Sequence, residues 1–517
     1  MKRVELMLSP REAATGYLAA ATKALGIKEQ DIAHCRIVRR SIDARRRGNI
    51  LVNMALEIYI DEPVPSDEFS LEWGDVSTAP EVVVVGAGPA GLFAALELIE
   101  LGFCPVVLER GKSVSERKRD IAAINRNEPI DSDSNYSFGE GGAGTYSDGK
   151  LYTRSKKRGV NAKALAILRR HGASEEILYD AHPHIGTDKL PRIIQAIRET
   201  IVKCGGRVEF NCRVTDYIIH QGRITGVVTA SGTKVEGVAV ILATGHSARD
   251  VYQGLFDREV YLQSKNFAVG VRVEHQQSLI DRIQYKQERD EYLPAASYSL
   301  VAQVAGRGVY SFCMCPGGFI VPAATANGEC VVNGMSPSGR NNIYANSGIV
   351  TQVLEKDIPE YIEHFGVLGG MRFQEQLERM GAAQGGGAQI APAQRLDQFV
   401  AAKRATQTLE TSYHPGVTSS DMHHWMPDFI SKALRGGFKE FDKKMRGYLT
   451  ADAQVIGVES RTSSPVRIPR GKESYMHEQI EGLFPSGEGA GYAGGIISAA
   501  IDGMQCAQAV ARYKPNK

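Results

Sequence analysis

Hydrophobic and polar positions change their period several times along the chain. In the first sixty residues, RVELMLS predicts a strand. PREAATGYLAAATKALGI predicts a helix with Pro at its start and Gly near its end, and CRIVRRSIDARRRGNILVNMALEIYI two strands joined by a basic turn. Residues 61–79 are acidic, carry two prolines and predict a linker. Then comes a continuous β-branched run, EVVVVGAG, the pattern of a parallel strand buried on both faces. PAGLFAALELIELG follows as a helix ending at Gly102, and CPVVLER as the next strand. Further on, LPRIIQAIRETIVKCGG predicts a helix, and RVEFNCRVTDYIIH and RITGVVTASGTKVEGVAVILATG predict strands with a tight turn. From 261 to 455 the pattern is mixed, with strands near 267–274 and 309–333 and helices near 395–405 and 428–446. The last 25 residues return to one amphipathic helix.

Three stretches share the spacing G-x-G-x-x-G: Gly86, Gly88, Gly91; Gly139, Gly141, Gly144; and Gly489, Gly491, Gly494. That spacing means little without a strand before it and a helix after it. The first copy has both. Pro89 and Ala90 open its helix, and Glu109, followed by Arg110, ends the next strand at the distance expected of a ribose-binding acid. Gly86 then serves the tight turn, Gly88 the close approach of a pyrophosphate, and Gly91 the packing of helix on strand. The amides of residues 88–91 face the phosphates with the positive end of the helix dipole. The second copy follows the polar SDSNYSF and precedes no helix, and the third has only 23 residues after it. One nucleotide is therefore expected, with two glycine segments left to explain.

In order, VVVVGAGPAGLFAALELIELGFCPVVLERG, VAVILATGHSARD and GLFPSGEGAGYAGG resemble the FAD-binding fold of glutathione-reductase-like flavoproteins. YSFGEGGAGTYSDGKLYTR, HPHIGTDKL, SFCMCPGGFIVPA, VVNGMSPSGRN and RTSSPVRIPR are similar, more narrowly, to the bacterial FAD-dependent, or NAD(FAD)-utilising, dehydrogenases. The resemblance implies an α/β fold. A discontinuous Rossmann-like FAD-binding domain spans 80–260 and 456–517, with an inserted α+β substrate domain at 261–455, a small N-terminal α/β domain at 1–60 and a linker at 61–79. It also implies that Ala243, Thr244 and Gly245 form a fingerprint loop. Gly487 and Glu488 stand where the family has Gly-Asp, with Glu488 on the ribityl chain and the helix from Gly494, Gly495 and Ile496 aimed at the flavin. Gly141, Gly142, Gly144 and Thr145 would cradle the cofactor, and Val214 would flank the adenine.

The 260–455 region offers no second strand–glycine–helix unit, so a nicotinamide nucleotide, if used, visits as a transient donor. No C-x-x-C or C-x-x-x-x-C pair adjoins the flavin segments, which argues against a disulfide reductase. Candidates for chemistry are Cys313 and Cys315 in FCMCPGG, His246 after the fingerprint, Tyr492 in the terminal loop, and Arg461 for an anionic substrate. An i, i+2 pair in a strand points to one face. No His or Cys spacing makes a metal site. The expected activity is hydride transfer between FAD and a small organic substrate.

Composition changes this picture little. Net charge is +2. The longest apolar run, Val82–Leu96, is broken by glycines and falls short of the ~20 residues of a membrane span. Eight scattered cysteines suggest reduced thiols in a cytoplasmic protein. Charge is uneven, however: residues 1–60 hold eleven Lys and Arg against six Asp and Glu. Arg39, Arg40, Arg45, Arg46 and Arg47 form a strip able to hold RNA or an acidic partner. An RNA-modifying flavoprotein and a non-catalytic flavin-binding protein are therefore the alternative readings.

Overall fold

Five parallel strands form the sheet that positions the glycine segments. Their spatial order is Leu483–Pro485, Val240–Leu242, Glu81–Val85, Cys104–Leu108, Arg207–Glu209. The chain runs outward from Glu81–Val85 on one side and resumes on its other side with Val240–Leu242. The strand order thus reverses beside Glu81–Val85, the kind of position where open α/β sheets bind ligands. The structure, a computed structural model, describes residues 1–46, 48–63, 69–152 and 158–514. Strand Glu81–Val85 reads as an apolar run because both faces are covered, by helices on one and chiefly by the antiparallel strands of 214–236 on the other; Val82, Val83 and Val84 are wholly buried.

Helix Pro89–Glu100 and the terminal helix Ile496–Arg512 lie against each other on this sheet. They touch closely where Gly503 faces Ala90: a Cβ on Gly503 would lie 2.0 Å from the Ala90 carbonyl oxygen. A three-stranded antiparallel sheet, Val214–His220, Arg223–Thr229 and Lys234–Glu236, fills the connection between strands Arg207–Glu209 and Val240–Leu242.

The inserted region is built on a seven-stranded sheet ordered Val301–Val304, Arg307–Cys315, Tyr344–Val353, Phe267–Gln276, Gln454–Glu459, Ala391–Arg395, Val417–Ser419. Gln454–Glu459 lies inside this sheet, so a boundary at 455 cuts a strand; the return to the first sheet comes after Glu459. Among the elements with no counterpart in the hydrophobic pattern are strand Tyr344–Val353 and helix Gly369–Gly385.

The N-terminal unit is a three-stranded sheet ordered Lys2–Leu8, Leu51–Tyr59, His34–Asp43, with helices Pro10–Thr15 and Tyr17–Leu25 split at Gly16. Two arginines of its basic strip are paired within the chain. Arg40 forks onto Asp180 at 2.7 and 2.9 Å and reaches Glu176 at 3.2 Å, tying the sheet to the nucleotide domain rather than to the acidic linker. Arg45 pairs with Asp43 at 2.6 Å. Arg39 and Arg46 are exposed, and Arg47 lies outside the described residues. Among the described residues no helix is long and apolar enough to cross a membrane.

Candidate functional site: a glycine-walled cavity

A cavity of about 370 Å³ opens where the strand order reverses. Gly86, Gly88, Pro89 and Ala90 form one wall, Ala243, Thr244 and Gly245 another, and Gly487, Glu488, Gly494, Gly495 and Ile496 a third. Gly142 and Gly144 border it, as do Val214 and Arg110. The three glycine segments thus surround one space.

The glycines divide into two kinds. Some let backbone meet backbone. A Cβ on Gly86 would sit 2.5 Å from the Ala243 carbonyl oxygen, one on Gly91 1.9 Å from the Gly86 oxygen, and one on Gly489 2.6 Å from the Gly245 oxygen. Others face open space: a Cβ on Gly88, Gly245 or Gly494 would meet nothing within 4 Å. These bare positions are where a ligand can lie directly on the main chain. Helices Pro89–Glu100 and Ile496–Arg512 both start here, and neither carries a side-chain cap. Their positive ends suit a pyrophosphate and the electron-rich edge of a reduced ring. The walls therefore fit a long dinucleotide cofactor held at both ends.

Buried side chains hold the loops in place. Glu109 lines the cavity, but its carboxylate already accepts the amides of Ala87 at 2.8 Å and of Gly111 and Gly139 at 2.9 Å. A carboxylate has about four acceptor positions, so one remains for a ribose hydroxyl. The acid expected to serve the sugar thus also pins two glycine segments together. Arg117, fully buried, donates to the carbonyls of Asn135, Tyr136 and Glu140 at 2.7–2.9 Å. Its burial lowers its pKa to about 10. Asp502 accepts the Gly487 amide at 2.7 Å and pairs with Arg470, fixing the terminal loop. Neither Arg117 nor Asp502 stands in a recognisable motif; both act only through the folded geometry.

Several expected site residues sit elsewhere. Gly91, Gly141 and Thr145 do not reach the cavity: Gly91 packs on Gly86, a Cβ on Gly141 would lie 1.9 Å from Thr145 Oγ1, and Thr145 donates to the Glu140 carbonyl. Tyr492 points away from the cavity; Arg470 lies 4.0 Å from its ring centroid, and its hydroxyl accepts the Arg470 amide. Arg110 borders the cavity but is committed to Asp133 and Asp250. Arg461 borders it too, with its guanidinium locked to Glu378 and Glu329 at 2.8 Å and to Thr325 at 2.7 Å. With Arg249 on the same two carboxylates, this buried cluster joins the inserted sheet to the nucleotide domain rather than offering a free cation.

His246 does lie at the site. Its Nδ1 is 3.1 Å from Glu488 Oε2 and its Nε2 2.9 Å from the Arg461 carbonyl oxygen, so it orients Glu488. Cys313 also borders the cavity, and Cys315 lies buried behind it. The turn 147–150, inside the stretch YSFGEGGAGTYSDGKLYTR, contributes side chains for which no role is expected from the sequence. Asp148 and Lys150 are on the wall, with Asn333 from the inserted domain. Asp148 is 1% exposed, and its Oδ1 has no hydrogen-bond partner. Burial alone would raise its pKa, but Lys150 and Arg340 outweigh it and hold the carboxyl below the usual range. Among the described residues no group of three or more His, Cys, Asp or Glu is placed to hold a metal ion.

Family models match along the chain: a domain of unknown function at 1–59, an FAD binding domain at 79–125, and an "FAD-dependent protein, C-terminal domain-like" model at 266–462. An uncharacterised protein of Clostridium beijerinckii is 39% identical over 94% of both chains. A thiamine thiazole synthase of Methanococcus maripaludis is 26% identical over 43% of this chain and 74% of its own. Among solved structures, a geranylgeranyl bacteriochlorophyll reductase-like protein of Thermoplasma acidophilum is 14% identical, covering 84% of this chain and 78% of that one with a TM-score of 0.38. The FAD binding model covers the strand, glycine turn and helix that open the cavity, and the FAD-dependent model covers the sheet that closes it. Together with the Clostridium relative, they show that this chain belongs to a family of FAD-dependent oxidoreductases.

Proposed function

We propose that the protein oxidises or reduces a small polar organic molecule by hydride transfer at its FAD, with the substrate held against Asp148, Lys150 and Asn333. Bound FAD supplies a two-electron acceptor and donor. The observation that carries the reading is Asp148, a buried carboxylate of the cavity wall whose Oδ1 makes no hydrogen bond. An orphaned buried acceptor costs about 1–3 kcal/mol, which a ligand donor relieves. Asp148 thus accepts a hydroxyl or amine of the substrate. Lys150 sets a positive charge 3.8 Å from the same carboxylate and can donate to a carbonyl or carboxylate oxygen. Glu488, oriented by His246, holds the ribityl chain, and the uncapped start of helix Ile496–Arg512 favours negative charge on the reduced ring.

The test is a survey of small hydroxy, amino and keto compounds, with NADH and NADPH as donors, following flavin bleaching anaerobically in wild type and Asp148→Asn. Substrates that bleach or reoxidise wild type should fail with Asp148→Asn at unchanged FAD content. Equal rates in both would refute the assignment of Asp148.

A further inference from the structure

Strand Arg307–Cys315 pairs with Tyr344–Val353 regularly as far as Phe312, loses register, and regains it at Cys315. Inside this bulge Cys313 has φ +45°, a left-handed conformation uncommon for a side-chain-bearing residue. Bulges re-aim side chains, and here the two cysteine sulfurs lie 4.0 Å apart, with Cys313 on the cavity wall and Cys315 behind it. Lys150 Nζ stands 3.9 Å from the first sulfur and 4.0 Å from the second. The contact with Cys315 and the ammonium of Lys150 together lower the Cys313 pKa well below that of an ordinary thiol, against the effect of burial. Elsewhere burial dominates, with Glu378 adding to it at Cys330 and Asp502 at Cys506: it pushes both up to about 12, the behaviour of inert core thiols.

We propose that Cys313 and Cys315 are a redox-active dithiol in the wall of the FAD cavity that closes to an intrachain disulfide and exchanges one electron pair with the bound flavin. In the oxidising direction the two S–H bonds break and one S–S bond forms. The two electrons and two protons pass to oxidised FAD, which becomes the dihydro form; the reverse step reopens the disulfide. The sulfurs must close from 4.0 Å to about 2.0 Å, by rotation about Cα–Cβ with adjustment of the bulged segment. Lys150 favours the thiolate that begins the exchange. The proposal requires FAD in the cavity but is independent of which substrate the enzyme turns over.

The test uses the full-length holoprotein. It is treated with diamide, desalted and titrated anaerobically with dithionite, with FAD content measured on the same sample. Wild type should take up about four electrons per FAD, two for the flavin and two for the disulfide, and Cys313→Ser and Cys315→Ser about two each. Iodoacetamide labelling of the denatured, diamide-treated wild type should leave Cys313 and Cys315 unlabelled among the eight cysteines, and dithionite should restore both. The labelling requires no variant, so it stands even if a variant misfolds. An uptake of about two electrons by wild type carrying a full complement of FAD, with both thiols labelled, would overturn the proposal. Wild type that binds no FAD would overturn the cofactor site and the exchange together.

Discussion

Glycines 88 and 91 lie three residues apart in one motif, yet the structure assigns them opposite duties, and substitution should separate them. Gly88 is the residue before helix Pro89–Glu100, with φ −74°, and a Cβ there meets nothing within 4 Å. Valine at 88 should therefore cost the FAD-free protein no more than about 1 kcal/mol, the loss of a favoured helix-start residue. At 91 the same change drives a Cβ to 1.9 Å from the Gly86 oxygen, so the helix or the turn must move, at a cost of about 3 kcal/mol. Binding should show the reverse. Bulk at Gly88 displaces the phosphates from the helix amides and forfeits about 3 kcal/mol of charge-assisted hydrogen bonding, roughly a hundredfold in Kd. At an FAD concentration a thousandfold above the wild-type Kd, wild type gains about 4 kcal/mol of stability and Gly88→Val only about 1.4. Urea denaturation with and without FAD, read by circular dichroism, measures all four quantities. Gly494→Val, also facing open space, should behave as Gly88→Val does. The reasoning fails if Gly88→Val keeps the full FAD-induced gain, or if its FAD-free form is as unstable as Gly91→Val.

Three further outcomes follow from the same geometry. Glu488→Gln should weaken FAD binding by roughly tenfold to a hundredfold, as loss of a charged acceptor costs about 1.5–3 kcal/mol, measured by quenching of flavin fluorescence. Arg461→Leu should destabilise the protein by about 3–5 kcal/mol in urea, because Glu378 would keep its burial and lose a partner. His275 is wholly buried, which lowers its pKa to about 4 against the support of the Tyr448 carbonyl. The unfolded chain then binds the extra proton between pH 6.5 and 4, so His275 favours folding above that window. This contribution, about 3 kcal/mol, should be lost as pH falls through the window, and His275→Gln should flatten that part of the stability profile.

Some of this was legible because the physics is local. EVVVVGAG is apolar throughout, since both faces of its strand are covered, and the turn after it needs glycine at positions set by backbone contact. The order of the three segments was enough to place one cofactor. The inserted domain was harder to read. Tyr344–Val353 carries Asn346, Ser347 and Thr351 at buried positions, so neither alternation nor an apolar run marks it. Helix Gly369–Gly385 begins and ends on glycines, and its packing, rather than its propensity, stabilises it. Glu109 and Arg461 both border the cavity, yet their side chains are shared with or spent on the scaffold, which depends on partners far away in sequence. Asp148, Lys150, Arg117 and Asp502 have roles only because distant segments meet, and no spacing along the chain reports that. At Cys313 and Cys315 the C-x-C spacing suggested a common face, but the bulge that brings in Lys150 was invisible.

The close seating of Gly503 on Ala90 bears on how the protein is made. Helix Pro89–Glu100 leaves the ribosome early, but the strand Leu483–Pro485 and the helix that completes its packing are translated only after the entire inserted domain. Until then the first glycine turn has half its walls, and the parallel sheet has an open edge at Val240–Leu242. Cofactor capture is therefore a late event in the life of each chain. A nascent chain stalled before residue 483 should already hold a folded N-terminal unit yet retain no FAD.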